Sequence, residues 1–206
     1  MGLFVAANVV EGKLPPSVMP WFYIGKVVVT AGAAFWASRA WRSALRLDRT
    51  AWLAGIAVGV LGLGIWLLLD LVPYPRLGER SGFNPFEKIA DPALRSVFLA
   101  TRFLGLAALV PVIEEVFWRG FGLRYAADQD RWNELPIGTA TPAGIAIVSA
   151  VFALAHPEWL AALVYGVLMA VLLQRTNRLG ACLVAHASTN LLLGLWVVVR
   201  GAWHLW

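Results

Sequence analysis

Charge is scarce in this chain. Only 14% of its 206 residues are Asp, Glu, Lys or Arg, whereas 60% are apolar and the mean hydropathy is +0.70. A disordered tail is excluded, and so is an ordinary soluble domain, which covers its surface with charge. Cysteine is scarcer still: Cys182 stands alone, which excludes a disulfide framework and any Cys-rich metal site. Lysine is nearly missing, since Arg supplies 14 of the 17 basic residues. The net charge of +5 is spread among short connections, which excludes a concentrated nucleic-acid footprint and reads instead as membrane topology. No basic region precedes the short apolar stretch at 3–10, the first basic residue being Lys13, so no signal peptide is expected. No internal repeat is visible.

What is present is a succession of long apolar runs broken by charged or Pro/Gly-rich connections. They predict an all-α, polytopic transmembrane bundle of six hydrophobic helices, at 18–38, 51–72, 96–125, 142–156, 159–174 and 181–200. The fourth and fifth are short. About 15 residues rise roughly 22 Å, less than a hydrocarbon core of about 30 Å, so they are expected to form a shallow hairpin. The chain is expected to be one integral-membrane domain over 1–206, with N-terminal helices and a connection at 1–95 and the chemistry-bearing helices at 96–200. Nine Lys and Arg in the connections 39–49, 119–141 and 174–180, against six in the others, favour those three facing the cytoplasm with both termini outside.

Ionisable residues inside apolar spans carry the functional signal, because each costs roughly 2.5 to 3.5 kcal/mol near the bilayer centre. The third span holds Arg102, Glu114, Glu115 and Arg119. On a helix Glu115 and Arg119 share a face at i,i+4, while Glu114 turns about 100° away. One carboxylate is thereby paired, and its partly desolvated neighbour is free to act as a general base. Phe152 and His156 stand at i,i+4 in the fourth span, and His186 and Asn190 do so in the sixth. Pro157 biases His156 out of the helical region and places it at a helix end. At 1.5 Å per residue Glu114, His156 and His186 reach similar depth, which permits a common site.

These residues form three motifs in order: Glu114-Glu115-Val116-Phe117-Trp118-Arg119 as E-E-x-x-x-R, Phe152 to His156 as F-x-x-x-H, and His186 to Asn190 as H-x-x-x-N. Together they resemble the glutamate-type intramembrane proteases (the CPBP family), which include the type II CAAX prenyl endopeptidases and bacterial bacteriocin-processing or self-immunity proteins. Phe117-Trp118-Arg119-Gly120-Phe121 also resembles the bacterial branch found beside exosortase-type sorting systems. The resemblance implies hydrolysis of a peptide bond in a membrane-associated protein or peptide, by a multi-pass protein of the cell membrane. It implies that Glu114 and His156 activate a water, that His186 and Asn190 stabilise the oxyanion, and that Glu115 and Arg119 are structural support with Phe152 packed beside them. Amide hydrolysis needs such a base and such donors.

Glu114, His156 and His186 would also make a His2Glu set with an open position, acceptable for catalytic zinc. The chain has no H-E-x-x-H helix and no obvious carboxylate to orient the imidazoles, so the expectation is no required cofactor, with a single divalent metal, zinc first, as the alternative.

Plainer readings stand beside these. Glu114 and Glu115 could be packed ion pairs with Arg119 or Arg102, and His186 with Asn190 an interhelical polar contact. His204 is expected at the interface with its Trp neighbours. Lys26, Asp70 and Arg102 suggest only snorkelling or pairing. Ser188 and Thr189 raise a serine nucleophile, but no G-x-S-x-G elbow is present. The competing function class is a non-catalytic immunity or scaffold protein, or a proton-coupled carrier with Glu114 as its relay.

Overall fold

A computed structural model of the chain describes residues 2, 7, 10–78 and 82–206. Most of the apolar stretch at 3–10, and Arg80 of the topology count, lie outside the described residues. Helix α1 is Met19–Trp36. Two 3-10 turns, Ala37–Ala40 and Arg42–Ala44, lead into α2 at Arg49–Asp70. After the single turn α3, Pro85–Lys88, come α4 at Pro92–Ala127, α5 at Pro142–Ala153, α6 at Trp159–Thr176 and α7 at Leu179–Arg200. The fold is all-α, and its several apolar helices are consistent with a polytopic membrane bundle.

The helix ends follow from local sequence. Asp48 caps α2 by accepting the Ala51 N–H at 2.9 Å, and that hydrogen bond is the main cause holding its carboxyl below the usual range. Asp91 and Thr141 cap α4 and α5 in the same way, each followed by a proline at the first helical position. Asn177 closes α6 and Gly201 closes α7 in the left-handed region, at φ 52° and 66°.

Helix count and length differ from the six expected. Among the described residues, four helices are long and apolar enough to cross a membrane: α2, α4, α6 and α7. In α1, Lys26 together with Trp21, Tyr23 and Trp36 dilutes the apolar run. The fourth span stops at Ala153, leaving His156 in the turn beyond it, because Pro157 denies the helix its next residues. Helix α4 is longer than expected, at 36 residues, and is interrupted by π-helical turns at Gly105–Leu109 and Val116–Gly122. Those two turns bracket Glu114 and Glu115.

Lipid gives helices no hydrophobic reason to associate, so close approach of backbones must do more of the work. Helices α2 and α7 meet through Gly55, Gly59 and Gly62. A Cβ on Gly59 would stand 2.6 Å from the Ser188 Cβ and 2.8 Å from the Ala185 carbonyl, and one on Gly62 would stand 2.5 Å from the Tyr165 ring. The main core lies between α5, α6 and α7 around Phe152, Tyr165, Met169, Leu173 and Cys182. A second cluster, with Tyr23, Ile89 and Phe98 at its centre, joins α1 to the start of α4.

Candidate active site

Between its two π turns α4 presents two carboxylates to different neighbours, as adjacent helical positions must. Glu115 is fully buried, and its Oε1 receives Arg119 Nη1 at 3.3 Å and His186 Nδ1 at 2.7 Å. Arg119 also reaches the Gly166 carbonyl at 3.5 Å, and its guanidinium lies 4.7 Å from the centre of the Phe152 ring. A buried cation is thus met by a carboxylate, a carbonyl and an aromatic face, which offsets its desolvation. Glu114 sits one position earlier. Its Oε2 is buried with no hydrogen-bond partner among the described residues, and it lies 4.0 Å from His186 Nε2.

The two imidazoles are held differently. His156 Nδ1 is 2.9 Å from the Phe152 carbonyl, which can only accept, so Nδ1 carries the proton and a neutral ring keeps Nε2 as acceptor. The Phe152 ring at 4.6 Å and the Trp66 ring at 6.0 Å bracket that imidazole. His186 is aimed by Glu115 at Nδ1, leaving Nε2 for Glu114. Its ring also meets Tyr165 edge-on at 5.9 Å. Asn190 donates from Nδ2 to the Leu106 carbonyl in the first π turn at 2.9 Å, which fixes the amide and leaves its second N–H available.

Glu114, Phe152, His156, His186 and Asn190 line one cavity of about 310 Å³. Trp66, Tyr165, Thr189, Glu158, His204 and Trp206 are among its other lining residues. Glu115 and Arg119 are not among the cavity-lining residues and pack behind it. The arrangement brings a carboxylate with an uncommitted oxygen, an imidazole acceptor and an amide N–H donor to one cavity. That is the equipment needed to deprotonate a water and to meet a developing oxyanion.

Several expectations change. The chain does hold a carboxylate that orients an imidazole, Glu115 for His186; 71 residues separate the pair, so only the folded bundle reveals it. Among the described residues, no three His, Cys, Asp or Glu side chains gather closely enough to hold a metal ion. His204 does more than sit among tryptophans, since its Nε2 lies 3.1 Å from Asp70 Oδ2, where Arg76 also pairs at 3.5 Å. Arg102 pairs with Glu11 at 3.8 Å, and Lys26 pairs with Glu11 as well. The Thr189 hydroxyl is engaged with Gly59, Ala185 and Tyr165, and the Ser188 Cβ faces Gly59.

Trp66, Tyr165 and Thr189 are cavity residues that the motifs do not flag. The signal available was Gly55-x-x-x-Gly59, a close-packing pattern that brings α2 and its Trp66 against α7.

No curated protein and no solved structure matches the chain. Residues 96–192, the stretch from early α4 to Leu192 that contains all three motifs, match the family described as type II CAAX prenyl endopeptidase Rce1-like.

Proposed function

We propose that the protein is an intramembrane endopeptidase that hydrolyses a peptide bond of a membrane-associated protein or peptide. The observation that carries this is the convergence of Glu114, His156, His186 and Asn190 on one cavity, with an oxygen of Glu114 left without a hydrogen bond. In the proposed reaction Glu114, with His156 Nε2, takes a proton from water as its oxygen bonds to the scissile carbonyl carbon. The carbonyl oxygen becomes the oxyanion, met by the second N–H of Asn190 and by His186. Because His186 Nδ1 faces Glu115, it donates from Nε2 only when both ring nitrogens carry protons. Collapse breaks the C–N bond, and the proton taken from water goes to the leaving amine. Glu115 and Arg119 act through His186 as positioning residues, and Phe152 positions His156.

Cleavage is expected to proceed without a required metal. Glu115 beside His186 does, however, supply the kind of carboxylate that accompanies a ligating imidazole. On the metal-free reading, exhaustive chelation of the purified protein leaves cleavage intact. Loss of cleavage, restored by stoichiometric zinc, would make Glu114, His156 and His186 metal ligands instead.

The working unit in this proposal is the whole span 1–206 in the cell membrane, with 96–200 bearing the chemistry and the connections at 39–49, 119–141 and 174–180 facing the cytoplasm. Phe117-Trp118-Arg119-Gly120-Phe121 supports the bacterial exosortase-associated branch as its finer placing. The test is a proteomic comparison of membranes carrying the intact chain with membranes carrying Glu114→Ala. A membrane protein that is shortened only by the intact chain supports the proposal. Identical peptide termini in the two membranes, with both proteins present at equal level, would sink it.

A further inference from the structure

A second cavity, of about 430 Å³, lies on another side of α4. Its floor on α1 is made of small side chains, Ala33 and Ala34, continuing to Ala37, and Val112 and Val116 of α4 form the opposite wall. Trp36 and Trp41 stand at one end of the groove and Thr30 at the other. From Thr30 to Ala37 the helical rise is about 10 Å, most of the roughly 15 Å depth of one leaflet's hydrocarbon. The tryptophan end belongs at the headgroup level, where such rings concentrate.

The loop at that end is basic and fixed. Arg39 and Arg42 are exposed, and neither has an ion-pair partner among the described residues. The one carboxylate of the loop, Asp48, is already paired with Arg178 at the start of α7. Gly180 holds the loop down, since a Cβ there would stand 2.2 Å from the Arg46 carbonyl. Arg39 and Arg42 stand on either side of the groove-lining Trp41 in the chain, on a loop whose backbone at Arg46 is docked against α7.

We propose that this groove is a binding site for an anionic phospholipid, with one acyl chain lying along the alanine floor and the phosphate held by Arg39 and Arg42. Charge complementarity selects the occupant: an apolar slot accepts any chain, whereas two unpaired arginines at its headgroup end favour a lipid with net negative charge. The groove wall includes Val112 and Val116, on either side of Glu114 and Glu115, so the bound lipid braces the helix segment that carries both carboxylates.

The full-length purified protein, titrated with phosphatidylglycerol and with phosphatidylcholine of the same chains, reports this directly when bound lipid is counted by native mass spectrometry. Phosphatidylglycerol should bind about 30-fold more tightly, as expected for two arginines near a lipid phosphate. The double variant Arg39→Gln with Arg42→Gln should lose that preference, whereas Arg200→Gln, at the far end of α7, should keep it. Ala34→Phe should weaken both lipids by filling the slot. Raising the salt concentration on the parent protein should erode the preference, a measurement that stands even if the double variant folds poorly. Equal affinity for the two lipids, or a preference unchanged by the double variant or by salt, would overturn the arginine half of the proposal. Full competition by glycerol phosphate without chains, or no effect of Ala34→Phe, would overturn the groove.

Discussion

Helix α4 carries two charge clusters, and they are built by opposite rules. Near its start, Arg102 and Lys26 of α1 share Glu11, beside Tyr23, whose ring centre lies 5.0 Å from the Arg102 guanidinium. The Glu11 and Arg102 side chains there keep 15% and 12% of their exposure, and Lys26 keeps 4%. Near the middle, Glu115, Arg119 and His186 are sealed, with Glu115 at 0% and Arg119 at 2%. In the first cluster Glu11 and Arg102 keep some contact with water. In the second, every group depends on the one beside it, because an orphaned charge has nowhere to turn. Under the proposed function, the sealed cluster serves to aim His186, whereas the first cluster tethers α1 to α4.

The largest effect expected from breaking this arrangement is on chemistry. Glu114→Gln keeps the shape and removes the basic oxygen, so cleavage should fall by about 10² to 10⁴ while the melting temperature barely moves. Full cleavage by that variant would remove Glu114 from the mechanism. Next comes Glu115→Gln, which strands Arg119 in the sealed cluster and should cost on the order of 3 to 5 kcal/mol, read as lower yield and melting temperature. Adding Arg119→Met should recover part of that loss, and the pair's coupling can be measured by the double-mutant cycle. A stable but inactive Glu115→Gln, beside an active Glu114→Gln, would reverse the two roles.

Smaller, and independent of charge, is Gly59→Ala. The added methyl meets the Ala185 backbone at 2.8 Å and should cost roughly 1 to 3 kcal/mol, seen as a lower melting temperature. Glu11→Gln in the less sealed cluster should cost less than Glu115→Gln by thermal melting, since Glu11 and Arg102 keep some access to water although Lys26 is buried. If Glu11→Gln destabilised as much as Glu115→Gln, the contrast between the clusters would collapse.

Much of this was legible in the chain, for physical reasons. Apolar runs located the principal helices, because lipid demands long stretches with satisfied backbones. The spacing of Glu115 and Arg119 gave their ion pair, since i,i+4 neighbours on a helix meet whatever the rest does. Contacts across distant helices were hidden: nothing local links Glu115 to His186, or places Trp66 of α2 over His156. Helix count suffered where composition is mixed, as in α1, and where Pro157 cut α5 short. The π turns were invisible because hydrophobic periodicity is read at 3.6 residues per turn, and a wider turn leaves composition unchanged.

The first of those turns has a consequence for how chains of this kind change in length. A π turn takes up one surplus residue as a local widening, so the helix before it and the helix after it keep their faces. Deleting one residue within Gly105–Leu109 would return that stretch to ordinary winding without rotating Glu114 away from His186. The carbonyl of Leu106 that Asn190 uses would move, however, and the amide would lose its fixed partner. A one-residue gap there would be felt by Asn190 and by the Tyr23 cluster against which Gly105 and Leu109 pack, while Glu114 keeps its face.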